Sequence, residues 1–161
     1  MLEWTQVIVD GGVRLHLAAT PAGIRSVWFG DPPTLEGGRN AGNALLLDAG
    51  RQLRDYFAGE LREFHLPLDM VGSPFQKRVW NQLLAIPYGE TRSYGQIAAA
   101  LGDPNSVRAV GAANGANPIP IIVPCHRVIG ASGKLVGYGG GLELKKRLLE
   151  LESRAAPPGL F

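Results

Sequence analysis

The residue types able to do chemistry gather in one stretch of this 161-residue chain, Asn117-Pro118-Ile119-Pro120-Ile121-Ile122-Val123-Pro124-Cys125-His126-Arg127-Val128. Cys125 is the only cysteine. A thiol attacks as its thiolate, a form that positive charge at the adjoining His126 and Arg127 would favour. Neighbours on an extended chain point to opposite faces, so coupling of Cys125 to His126 would run through a water. A lone buried cysteine is more often an inert small hydrophobe, and by itself Cys125 reads that way. Pro118, Pro120 and Pro124 exclude a regular helix and a central strand, which predicts an extended, stiff, apolar segment holding Cys125 in a fixed place.

Other candidates are fewer. Glu152 lies four residues after Leu148 and beside Leu151, at the margin of an apolar stripe rather than on the solvated face that Glu143 and Lys146 can share. A carboxylate there needs a partner, by default a cap or salt bridge, or functionally the His126 ring. Gly137-Tyr138-Gly139-Gly140-Gly141-Leu142 puts Leu142 where a dinucleotide-binding motif needs its third glycine, and Gly133-Lys134 lacks a phosphate loop's other residues. A turn between Ile129 and Leu135 and a close-approach loop at 137–141 explain these glycines more simply.

The elements that must position these groups follow from pattern. From Val7 to Gly30 apolar and polar side chains alternate, with turns at Asp10-Gly11-Gly12 and Pro21-Ala22-Gly23, which predicts an antiparallel meander. Residues 43–58 place Leu46, Gly50, Leu53 and Phe57 on one helical face, with Asn43 as N-cap and Gly59 as stop. Phe64, Leu66, Leu68 and Met70 alternate with polar residues, and Pro67 would confine such a strand to a sheet edge. A first domain is expected over 1–72 and a second over 73–161. Ser73-Pro74-Phe75-Gln76 opens the second with a capping box before Val79, Trp80, Leu83 and Leu84. Helices then follow over Ser93 to Leu101, from Asp103-Pro104 through Val107, Val110 and Gly111, and over Leu142 to Arg154, with a frayed tail at Ala155 to Phe161.

The helices flanking Leu101-Gly102-Asp103-Pro104 suit a helix-turn-helix, found in nucleic-acid binding and in plain helix packing alike. Ala109, Ala112, Ala113 and Ala116 share a face of the second helix, which carries Arg108 as its one long side chain. Such a face lacks the side chains of direct base reading but would let the backbone lie close in a groove. Without a second feature, packing against another helix is the slightly favoured alternative.

Composition excludes several classes. Hydrophobic residues make up 45% and charged residues 19%, which is globular rather than disordered composition. No apolar run approaches a membrane span and Met1-Leu2-Glu3 opens no signal peptide, so a soluble, cytoplasmic protein is expected. A single cysteine forms no internal disulfide, and scattered His16, His65 and His126 suggest no metal site. The net charge of +2 permits nucleic acid as a partner without requiring it.

Taken together, Pro124-Cys125-His126-Arg127-Val128, Asn117-Pro118, the Tyr94 and Arg108 helices and Tyr138-Gly139-Gly140 closely resemble the methylated-DNA protein-cysteine methyltransferases, or O6-alkylguanine-DNA alkyltransferases. The resemblance runs from about Gly72 to Glu152 and is looser before it, in overall size and at Tyr56-Phe57-Ala58-Gly59-Glu60. It implies an α/β N-terminal domain of ribonuclease H-like shape and a mainly α C-terminal domain with a winged-helix-like helix-turn-helix. The implied activity is stoichiometric, irreversible transfer of an alkyl group from O6-alkylguanine, with O4-alkylthymine as a further substrate, in double-stranded DNA to Cys125, by a monomer without cofactor or metal.

By the same resemblance the helix matching Val107 to Asn114 enters the minor groove, with Ser93, Tyr94, Ala109 and Gly111 at the DNA and Arg108 filling the gap left by a flipped nucleotide. Tyr94, Val128, Tyr138 and Gly139 line the base pocket, Glu152 holds His126, His126 takes the thiol proton through water, and Asn117 braces the segment. Two departures are visible: the zinc-binding cysteines and histidines of some members are absent, and Gly139 stands where others carry Ser, which bears on tolerance for bulky alkyl groups. Rival readings are a non-reacting lesion binder, which Cys125 argues against, a helix-turn-helix regulator, for which the chain is short, and an unrelated cysteine hydrolase, which would turn over.

Overall fold

The computed structural model describes residues 2–31, 37–133, 135 and 137–154, so the expected frayed tail lies outside the described residues. The chain divides into two compact units, Met1–Val71 and Gly72–Phe161.

In the first unit, β1 (Glu3–Val9), β2 (Val13–Thr20) and β3 (Gly23–Phe29) form the antiparallel meander that the alternation predicts. Alternation sends Val7, Val9, Leu15, Leu17 and Val27 into the core. Helix α1 (Ala44–Phe57) covers that face, and its Gly50 lets Val7 approach to 3.6 Å from where a Cβ would stand. The Asn43 side chain caps α1 by accepting from the Leu46 amide.

Two features differ from the pattern. A short β4 (Gly38–Arg39) adds to β1 in parallel, giving the order β3-β2-β1-β4, and two residues are too few to show a period. The strand expected from Phe64 to Met70 shrinks to a single bridge between Ile24 and Leu68. Pro67 accepts from the Ile24 amide at 2.9 Å but has no N–H to extend a ladder. Gly23 admits this approach: a Cβ there would lie 2.6 Å from the Pro67 carbonyl.

In the second unit, α2 (Pro74–Leu84) starts at the Ser73/Gln76 capping box, and a matching box of Ser93 and Gln96 starts α3 (Tyr94–Ala100). The next helix, α4 (Val107–Gly115), begins later than Asp103-Pro104 suggested. Asp103 spends its oxygens inside a tight turn, on the amides of Asn105 and Ser106, instead of capping a helix. A parallel pair, β5 (Arg92–Ser93) and β6 (Val128–Ile129), and helix α5 (Leu142–Ser153) complete the unit. Val79, Trp80, Leu83, Ile97, Val110 and Leu148 build its core, whereas Leu84 at the end of α2 is exposed. The Trp80 indole is anchored by donation to the Ala113 carbonyl at 2.9 Å, and its ring lies so close over Gly72 that no side chain fits there. The architecture is thus a mixed sheet plus helices. Among the described residues no helix is long and apolar enough to cross a membrane.

Candidate functional site

The cysteine segment is stiff but not extended. Val123 donates to Ile119, folding the chain back, and Asn117 pins the fold from inside: its Nδ2 donates to the Val123 carbonyl at 2.9 Å and its Oδ1 accepts from the Ile119 amide at 3.0 Å. Ile121 sits at φ 73°, a costly conformation for a β-branched residue, and is the one non-glycine with positive φ among the described residues. The segment ends in a 3-10 turn, Cys125–Arg127, which replaces the extended geometry expected around Cys125. The turn is buried throughout.

Burial pushes the Cys125 thiol up, against hydrogen bonding from Asn117, the charge of Lys145 and the main-chain amides of Cys125 and His126. The neighbouring residues run away from the sulfur into a carboxylate. His126 Nε2 lies 2.8 Å from Glu152 Oε2. Arg127 grips the same carboxylate, Nε to Oε1 at 2.8 Å and NH2 to Oε2 at 3.0 Å, and donates its third nitrogen to the Ile86 carbonyl past the end of α2. The expected direct help from the Arg127 charge to the thiol is therefore corrected: its guanidinium serves Glu152 and Ile86, and Lys145 is the cation that acts on Cys125.

Burial pushes the Glu152 carboxyl up, but His126 and Arg127 outweigh it and bring it down to about 2. Burial pushes His126 down, opposed by Glu152, so the ring is neutral at neutral pH. A neutral imidazole donating through Nε2 to an ionised Glu152 carries its lone pair on Nδ1, which suits acceptance of a proton.

Tyr138 stands edge-on to the His126 ring, centroids 6.5 Å apart, and burial with the nearby Cys125 and Glu152 raises its hydroxyl well above the usual range. Tyr94, half-buried at the start of α3, is likewise raised by burial and by Cys125, with a hydrogen bond from Asn114 working the other way. Val128 is wholly buried, and its carbonyl accepts from Lys145 Nζ at 2.8 Å. Gly139 is exposed on the loop before α5. Cys125, His126, Glu152, Asn117, Tyr94, Tyr138 and Val128 thus belong to one cluster.

The α4 surface carries the remaining candidates. Arg108 and Ala109 are exposed, as are Ala112 and Ala116. Ala113 is buried beneath them and leaves the expected alanine face, so the small-residue surface is narrower than predicted but open to solvent. Gly111 receives the Tyr94 ring, 3.9 Å from where a Cβ would stand. The Ser93 hydroxyl accepts from the Gln96 amide as the α3 cap, which leaves its O–H able to donate.

Two buried polar residues escaped sequence reasoning. Lys145 and Glu152 share the stripe of Leu148 and Leu149, at helical spacing, so position rather than residue type signalled the burial of both. Asn114, four residues after Val110, is buried on α4 with Nδ2 3.5 Å from the Cys125 carbonyl.

A family model described as the 6-O-methylguanine DNA methyltransferase DNA-binding domain matches residues 74–154. The methylated-DNA–protein-cysteine methyltransferase of Mycobacterium tuberculosis is 58% identical over 136 residues, 84% of this chain and 76% of that protein. A constitutive namesake from Bacillus subtilis is 50% identical over 126 residues, 78% of this chain and 76% of its own. Among solved structures, Mycobacterium tuberculosis OGT in complex with DNA superposes with a TM-score of 0.88 at 50% identity, covering 97% of this chain and 96% of that one.

Proposed function

The chain belongs to the methylated-DNA–protein-cysteine methyltransferases, and from that premise we propose that it repairs DNA by direct reversal, moving the alkyl group of O6-alkylguanine irreversibly onto Cys125. One observation carries the assignment of residues: the single cysteine opens a buried turn whose next two residues are locked to one carboxylate.

That arrangement supports the following roles. The Cys125 thiol passes its proton through a water to His126 Nδ1, and the thiolate attacks the alkyl carbon. The new C–S bond forms as the C–O6 bond breaks, its electron pair leaving with guanine. A proton delivered to the base completes the exchange, with the Tyr138 hydroxyl and amides near Gly139 as donors at the leaving oxygen. Glu152 holds the His126 tautomer, Arg127 keeps Glu152 ionised, and Asn117 braces the folded segment. The thioether has no easy leaving group, so each chain reacts once.

DNA is the partner that the exposed α4 surface fits. Small residues at Ala109, Ala112 and Ala116 let the backbone lie close to a minor groove, and Arg108 fills the stack vacated by the flipped base. Tyr94 and Ser93 flank the base and its phosphate, and Tyr138, Gly139 and Val128 form the pocket wall, Val128 through its main chain. A ribonuclease H-like first domain over 1–72 and a winged-helix-like second over 73–161 are supported by the β1–β3 meander with α1, and by α3 and α4 beside the β5–β6 pair. The test is stoichiometry: DNA carrying radiolabelled O6-methylguanine, supplied in excess, should transfer label to a plateau of one methyl group per chain. Continued turnover, or label left wholly on the DNA, contradicts the reading.

A further inference from the structure

The α4 helix reaches Cys125 through a buried side chain that neither the resemblance nor the roles above employ. Asn114 is 6% exposed. The Cys125 carbonyl can only accept, so the Asn114 amide nitrogen must face it, at 3.5 Å, and Oδ1 must face away. There Oδ1 is buried and meets no donor among the described residues. An unsatisfied buried acceptor is costly, and an apolar side chain of the same size would fill the space without that cost. The Asn114 amide also hydrogen-bonds Tyr94, so one buried side chain stands between the nucleophile's main chain and a tyrosine of the pocket with an acceptor left unspent, an arrangement that an apolar residue cannot supply.

We propose that Asn114 is a positioning residue for alkyl transfer, holding from α4 the peptide unit that joins Cys125 to His126. The inference rests on the functional reading above. The Cys125 carbonyl and the His126 N–H belong to one planar peptide, so a donor at the oxygen, 3.5 Å away, restrains the direction of the N–H. That N–H is among the groups that favour the Cys125 thiolate over the buried thiol. A donor on the carbonyl also polarises the peptide and strengthens its N–H as a donor. One turn earlier, Gly111 seats the Tyr94 ring. Asn114 and Gly111 therefore tie the nucleophile's main chain and a base-contacting tyrosine to the helix that carries Arg108.

Asn114→Leu is measured in the full chain for melting temperature, affinity for O6-methylguanine duplex, and rate of methyl transfer within the bound complex from pH 6 to 9. The expected result is an unchanged or higher melting temperature, an affinity reduced less than the transfer rate, a transfer rate about tenfold or more below wild type, and a rising, acid-side limb displaced to higher pH. A rate within about threefold of wild type, or a slower rate with an unshifted limb, overturns the proposal. Should Asn114→Leu fail to fold, Asn114→Ala is judged by the same two criteria. Transfer by wild type at the rate of the variant sinks this role alone, whereas no transfer by wild type sinks the functional reading and this role with it.

Discussion

Glu152 Oε2 lies 2.8 Å from His126 Nε2, both side chains wholly buried, and this contact fixes the pH behaviour of the site. Folding lowers Glu152 from the ordinary 4.5 to about 2, so its contribution to stability is full above pH 4.5 and is lost as pH falls toward 2. Burial lowers His126 from 6.5, so the neutral ring contributes fully above that value, and its contribution fades as pH falls below it. Both signs agree. The melting temperature should fall steadily from pH 7 to 2.5, and Glu152→Gln should flatten the part below pH 4.5. A melting temperature indifferent to pH across that range contradicts the coupling.

Removing the carboxylate strands the Arg127 guanidinium, whose Nε contacts it at 2.8 Å with little solvent access. Breaking a buried pair by deleting one partner costs about 3–5 kcal/mol, so Glu152→Ala should lower unfolding free energy by that order and abolish transfer. Denaturant titration reads the first and label transfer the second.

Lys145 makes a separate contribution. Its Nζ satisfies the Val128 carbonyl at 2.8 Å, and its charge opposes the burial that raises the Cys125 thiol. Lys145→Met should leave that carbonyl unsatisfied, at about 1–3 kcal/mol, and move thiol ionisation to higher pH. Thiolate absorbance titration checks the shift; a titration identical to wild type removes Lys145 from the electrostatics.

Arg108 is exposed on α4, remote in role from the chemistry. Arg108→Ala should slow repair of duplex DNA more than reaction with free O6-alkylguanine base, because only the duplex requires flipping. Equal losses on both substrates would contradict a role in extrusion.

Much of this was legible where local chemistry decides local structure. Asn43, Ser73 with Gln76 and the turns at Gly11 and Gly23 declare their elements because each satisfies or shapes backbone within a few residues. What stayed hidden depends on long-range contact. The Arg127 charge, read beside Cys125, is turned into Glu152 by the 3-10 turn. Ala113 looks like its exposed neighbours until the Trp80 indole claims its carbonyl. Lys145 and Asn114 occupy apolar stripes that their polarity disguises, and only their partners, the carbonyls of Val128 and Cys125, explain their burial.

The fate of the Cys125 sulfur is the most direct test. After incubation with a duplex containing O6-methylguanine, peptide mass mapping should find one added methyl group on the Cys125 peptide, with guanine restored in the DNA and no modification in Cys125→Ser. An unmodified Cys125 with the lesion intact, or a methyl group on any other residue, would contradict the account.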